Sequence, residues 1–354
     1  MTEKPYTGVI LPASPPIDKA GALAVLELAL DTRFDPSQIG FWSERKVPLP
    51  TLKGWETEGI YPIDLGTEKY HDARVDGAKV GSATDYVART FGAMGREDVK
   101  EAVRLFNHNN QNGDLKDGQY AIAWIMREAY ELPDADHADI VRRAADVVHT
   151  HLKAQGPRTR ESDEELFATL GELAEATKNG KASPFRAGSY LRDLYHTGEP
   201  IDKIKSRVEW WIKTEEQIRK LQREARKEYL ANTWREFLVR GFQGVVIDRN
   251  RWVAKEAMKY HRREGRKDPR KIRHIFISVS ETGHVTIVTN ELDVSKLAGE
   301  LQRCEPGQWY HAYQQGTIMN AGPQYHAVAP TKIAIDELIS LMKDDRFVPK
   351  DARS

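Results

Sequence analysis

The chain has 354 residues, 40% of them hydrophobic and 30% charged, and its 53 basic side chains balance 53 acidic ones. This is the composition of a folded chain rather than a disordered tail, and at roughly 150 residues per domain the length predicts two domains. A single cysteine, Cys304, excludes a disulfide framework and a cysteine-based zinc cluster, and no apolar run approaches the ~18 residues that cross a bilayer.

In chain order, Val9-Ile10-Leu11 reads as a buried strand closed by Pro12 and followed by Ser14-Pro15-Pro16. Asp18–Leu30 reads as a helix, with Ala22, Leu23, Val25, Leu26 and Leu30 at helical spacing. Ile39–Trp42 and Ile60–Asp64 are the next strands, so the chain opens as an α/β domain with a largely parallel sheet. Ser82 is placed to cap a helix that runs to Phe91 and closes at Gly92. Helices are expected over 98–106, 118–131, 136–153 and 161–178, with the polar stretch Asn107–Asp114 between the first two and the breaker Asn179–Pro184 after the last.

Residues 201–240 read as a long charged helix whose seam (Ile204, Val208, Trp211, Ile218, Ala225, Tyr229) steps by four and three. Two readings of it stand: a connector between domains, or one strand of a dimeric coiled coil, which would make the protein a homodimer. A smaller C-terminal α/β domain follows. It has a strand at 245–247, a basic helix at 252–264, a hairpin of 274–279 and 284–288, a helix at 293–303, a strand at 316–320, and a final helix at 332–343 capped by Thr331. The predicted domains are therefore 1–200, the helix 201–240, and 241–354.

Net charge is unevenly spread. Residues 1–200 hold 24 basic and 32 acidic side chains, which leaves a surplus of +8 for the remainder. Ten of the basic residues fall within 251–273, among them Arg262, Arg263, Arg266 and Lys267, against three acidic ones. Such a segment suits a polyanion, single-stranded nucleic acid among them, and suits a solvated helix face equally well. The N-terminal residues Met1–Pro5 lack a signal-peptide profile, and a soluble cytoplasmic protein with no membrane partner is expected.

Candidate chemistry begins with two carboxylates at strand ends, Asp18 after the first strand and Asp64 after the third. Ligands of open parallel sheets collect beyond the carboxyl ends of strands, so these two converge on one site. Asp oxygens joined by an imidazole suit Mn²⁺ or Mg²⁺, and His71 and Asp72 follow in a polar segment. His108 offers a further imidazole. The helix start at Ser82 offers backbone N–H groups to phosphate, and Asn320-Ala321-Gly322 offers a turn that shapes a pocket. No Walker loop, His-Glu-x-x-His helix or Gly-x-Ser-x-Gly elbow is present.

The order of these parts resembles the DHH phosphoesterase superfamily. Ala13-Ser14-Pro15-Pro16-Ile17-Asp18 is similar to its first motif and Ile63-Asp64-Leu65-Gly66 to its second. Tyr70-His71-Asp72-Ala73-Arg74 stands where Asp-His-His-Gln would, and Gly81-Ser82-Ala83 stands at the helix start behind it. The resemblance implies two Mn²⁺ ions between an α/β domain and a smaller C-terminal domain, and hydrolysis of a phosphodiester or pyrophosphate in the interdomain cleft. Asp18 and Asp64 carry over as metal ligands and His71 and Asp72 as displaced ones. Pro12 or Ala13 replaces the first-motif His, and Asn or Gln of 107–112 replaces the fourth-motif Asp. Two readings follow: a phosphoesterase acting on a phosphate-containing ligand, or a non-catalytic nucleotide- or nucleic-acid-binding or scaffolding relative whose metal site has decayed.

Overall fold

The structure is a computed structural model, and it describes residues 6–42, 47–65, 74–75, 78–79, 81–112, 122–154, 194, 197–248, 251–267, 273–280, 282–289, 292–312, 316–320 and 328–348. The chain is mixed α/β and divides into two compact units, Met1–Ile218 and Arg219–Ser354. By this division the N-terminal unit has 28 basic and 36 acidic residues and the C-terminal unit 25 and 17. The charge split expected from sequence is therefore a property of the two units.

The N-terminal unit is built on three parallel strands, β1 (Gly8–Pro12), β2 (Ile39–Trp42) and β3 (Ile60–Pro62), in the order β2-β1-β3. Val9 pairs with Ile39 on one side and Tyr61 on the other. As the central strand, β1 is covered on both faces, which is why it reads as a continuous apolar run. The helix after it, α1 (Ile17–Leu30), is buried from Ile17 through Glu27. A helix apolar on all sides belongs inside, so α1 is the axis of this unit.

Against α1 pack α3 (Ala83–Thr90), α4 (Glu97–Asn112) and α6 (His137–Ala154), while α5 (Ile122–Ala129) packs on α6. Two elements escape the hydrophobic pattern. Helix α2 (Leu49–Glu58) buries none of its residues, and its Trp55 meets Trp42 of β2 edge-on at 5.3 Å. A two-residue ribbon pairs β4 (Arg74–Val75) with β5 (Ala78–Lys79). The predicted break at Asn107 is corrected: α4 continues to Asn112. Its packing face (Val99, Ala102, Val103, Phe106) is buried, and an asparagine on the extension costs only a few tenths of a kcal/mol. The helix expected over 161–178 and the breaker 179–184 lie outside the described residues.

The long helix is α7 (Ile201–Ala231), shorter than the predicted 201–240. Residues 235–239 instead form β6 (Arg235–Val239), hairpinned onto β7 (Phe242–Ile247) through Arg240-Gly241, both with positive φ. Trp234 stacks on Tyr229 with ring centroids 5.5 Å apart and donates its indole N–H to the Tyr229 carbonyl, turning the chain off the helix.

The C-terminal unit is a six-stranded sheet in the order β10-β11-β9-β8-β7-β6. Its remaining strands are β8 (Ile275–Val279), β9 (Val285–Thr289), β10 (Tyr310–Ala312) and β11 (Thr317–Met319). Only β7 and β8 run parallel, joined by the basic helix α8 (Arg251–Lys267). Ile275, Ile277 and Ile287 share a core with α9 (Ser295–Cys304) and α10 (Ile335–Lys343). The alternate residue Phe276 turns to the other face, where it meets His261 of α8 at 5.8 Å. Thr331 does not cap α10, which starts at Ile335; its hydroxyl binds Glu305 at 2.7 Å.

Candidate functional site

The sheet order β2-β1-β3 makes the crevice between β1 and β3 the place where successive connections leave in opposite directions, and ligands of open parallel sheets bind there. Ser14 (φ 49°) and Asp64 (φ 52°), just past those two strands, both adopt the left-handed backbone conformation. Non-glycine residues held this way are uncommon and gather at functional positions.

Asp18 and Asp64 do converge, as their spacing predicts, but on a third residue that the motif reading passed over. The Lys19 ammonium lies 3.0 Å from Asp18 Oδ2 and 2.5 Å from Asp64 Oδ2, and the three side chains are only 2–12% exposed. The remaining capacity of Asp18 is also used. Its Oδ1 accepts from the Thr84 hydroxyl at 2.9 Å and the Thr84 N–H at 3.2 Å, and its Oδ2 accepts from the Ala83 N–H at 3.1 Å. A carboxylate offers about four acceptor directions, and here four donors fill them.

Electrostatics follow from this enclosure. Burial pushes the Asp18 carboxyl up, but the charge and hydrogen bond of Lys19 and the two bonds from Thr84 outweigh it and hold the group below the usual carboxylate range. Burial likewise pulls the Lys19 ammonium down, and the two carboxylates overcome that and raise it above its ordinary value. Asp18 and Lys19 are thus held charged.

The metal that the family resemblance implies was tested against these donors, and they do not fit it. A Mn²⁺ or Mg²⁺ needs free carboxylate oxygens. Asp18 has none left, and Asp64 turns Oδ2 to an internal cation. Among the described residues no group of three or more metal-binding side chains is gathered. His71 and Asp72 lie outside the described residues, as does Gly322.

The helix start at Ser82 is occupied as well. Its hydroxyl accepts the Asp85 N–H at 3.0 Å, and the Ala83 and Thr84 N–H groups go to Asp18. The three N–H groups expected to hold phosphate are spent inside the protein, which corrects that expectation. His108 sits exposed on α4. The preceding residue, Asn107, donates from Nδ2 to Asp85 at 3.0 Å, while its buried Oδ1 has no hydrogen-bond partner. Asp85, 1% exposed, also holds Arg89 at 2.6 Å and the Gly81 N–H at 3.0 Å. Gly81 is required there, because a Cβ would come within 2.5 Å of Asn107.

Lys19 is the residue that motif reading missed. A signal for Lys19 was present: Asp18-Lys19 is a charged pair at the head of an otherwise apolar helix. In the C-terminal unit, Arg262 and Arg263 are exposed on α8 and have no ion pair among the described residues, and Arg266 and Lys267 occupy its last turn. The chain matches no protein-family model and no curated protein.

Proposed function

We propose that the protein is a non-catalytic relative of the DHH-type pattern, in which an internal ammonium has replaced the metal and the C-terminal basic helix binds a phosphate-bearing polyanion such as single-stranded nucleic acid. The observation that carries this reading is the Lys19 ammonium held by both strand-end carboxylates. A two-metal hydrolase directs such carboxylates at two cations ~3.5–4 Å apart. Here the same oxygens serve one ammonium and a helix terminus, which supports a structural role for the old site.

Binding is supported by charge. The C-terminal unit carries the +8 surplus, and α8 turns Arg262 and Arg263 to solvent while burying Val253, Ala257 and His261 against the sheet. Neutralising phosphates releases counterions, so affinity for a single-stranded oligonucleotide falls steeply as salt rises.

Two titrations test the proposal. In calorimetry, wild type gives no heat with MnCl₂. In a fluorescence titration, a labelled oligonucleotide binds at low salt, and reversing Arg262 and Arg263 to Glu weakens it roughly tenfold with a shallower salt dependence. Manganese-dependent cleavage of the oligonucleotide by wild type, or no binding at low salt, would overturn it.

A further inference from the structure

The opposite end of α1 holds a second buried charge, Glu27, which is 1% exposed. Its carboxylate accepts from both terminal nitrogens of Arg142, from the Phe34 N–H at 2.8 Å, and from His149 Nε2 at 2.7 Å. Burial raises the Glu27 carboxyl, and the bonds from His149 and Arg142 more than offset it and hold the group ionised. An ionised carboxylate only accepts, so Nε2 of His149 carries the proton and Nδ1 is the nitrogen left to face elsewhere.

This network forms one wall of a cavity of about 630 Å³, lying wholly within the N-terminal unit. The volume is within the ordinary range for a small-molecule site. Burying an ion pair has a large desolvation cost, and a titratable group perturbed by burial and a specific charge partner beside a cavity is a functional-site candidate.

Among the described residues the cavity has unused donors on Lys153 and Arg33 and unused acceptors on Asp31 and on Asp146 Oδ2. Both oxygens of Glu27 are engaged, Asp146 already accepts from Arg33 and Arg142, and Glu199 accepts from Arg207. Asp31 is the lining carboxylate without an ion pair among the described residues. Lys153, also in the lining, is exposed with no ion pair among the described residues, and Arg33 uses one nitrogen of its fork, on Asp146. Arginine forks and a lysine around one cavity are the donors that hold phosphate oxygens.

We propose that this cavity binds a phosphorylated small molecule, with Lys153 and Arg33 on the phosphate and His149, oriented by Glu27, accepting at Nδ1 from a donor elsewhere on the ligand. The site is independent of α8 and of the strand-end cluster.

Inorganic pyrophosphate is the probe, titrated by calorimetry at constant ionic strength. To separate this site from α8, the titration is run on wild type and on the Arg262→Glu, Arg263→Glu double variant. Both should bind alike. Lys153→Glu should weaken binding by roughly tenfold or more, the scale of one lost charged hydrogen bond. Lys153 is exposed and has no ion pair among the described residues, so this variant should fold. No binding by wild type, binding lost with the α8 charges, or binding indifferent to Lys153→Glu would each overturn the proposal.

Discussion

The Lys19 ammonium bridges two carboxylates, those of Asp18 and Asp64. Replacing it by methionine keeps the length and removes the charge, which leaves the buried Asp18 without the Lys19 ammonium. Breaking a buried pair from one side costs about 3–5 kcal/mol, so Lys19→Met should lower the melting temperature of its unit by on the order of 10 °C. MnCl₂ should recover part of that loss in the variant and leave wild type unmoved; equal shifts in both would show that the carboxylates were open to metal from the start. The pH dependence has two edges. The depressed Asp18 carboxyl contributes stability that is present above its unfolded value and lost as pH falls through its folded value. Glu27 behaves alike. The raised Lys19 contributes stability that is complete below its unfolded value and lost as pH rises through its folded one. Urea melts across pH should therefore show a plateau around neutrality with strongly acidic and strongly alkaline losses. Lys19→Met should lose the alkaline edge due to that residue.

At the scale of elements, α1 has a charged group at each end and little but apolar packing between. Asp18 and Glu27 are nine residues apart, about 14 Å along the axis at ~1.5 Å per residue. The close approach that lets α3 reach Asp18 depends on Gly21. A Cβ there would come 2.5 Å from the Phe106 ring and 2.7 Å from the Thr84 hydroxyl. Gly21→Ala would gain up to ~1 kcal/mol of helix propensity and lose about 1–3 kcal/mol to overpacking, so the net expectation is destabilisation. It should also displace Thr84 from Asp18, which amide exchange would show as reduced protection of the Ala83 and Thr84 N–H groups. A stabilised Gly21→Ala protein with unchanged protection would contradict this packing account. Most of these elements were legible from periodicity because their apolar residues repeat regularly. Helix α2 and the ribbon β4–β5 were not, since α2 buries no residue and each ribbon strand has two residues. Strand β6 was misread as helix because its exposed charges continue those of α7.

For the whole molecule, each unit has its own core: α1 and its neighbours in one, the six-stranded sheet with α9 and α10 in the other. Units with separate cores usually unfold as separate cooperative steps. Differential scanning calorimetry should resolve two transitions, with Lys19→Met moving one and leaving the other in place; a single transition shifted as a whole would show strong coupling. Some properties were determined by sequence alone. They are the α/β class, the parallel opening strands, the −8 and +8 halves and the placing of Asp18 and Asp64 after strands, because apolar period, charge and strand-end position are local quantities. The tertiary structure alone decided what the carboxylates hold. A lysine next to an aspartate reads as an ordinary surface pair until burial is known, and only packing against α3 and β3 shows that its ammonium is enclosed. The same holds for Glu27 and His149, which are 122 residues apart and become partners only because α6 lies against α1. Hydrogen bonding and desolvation depend on neighbours brought together by the fold, and chain order does not encode them locally.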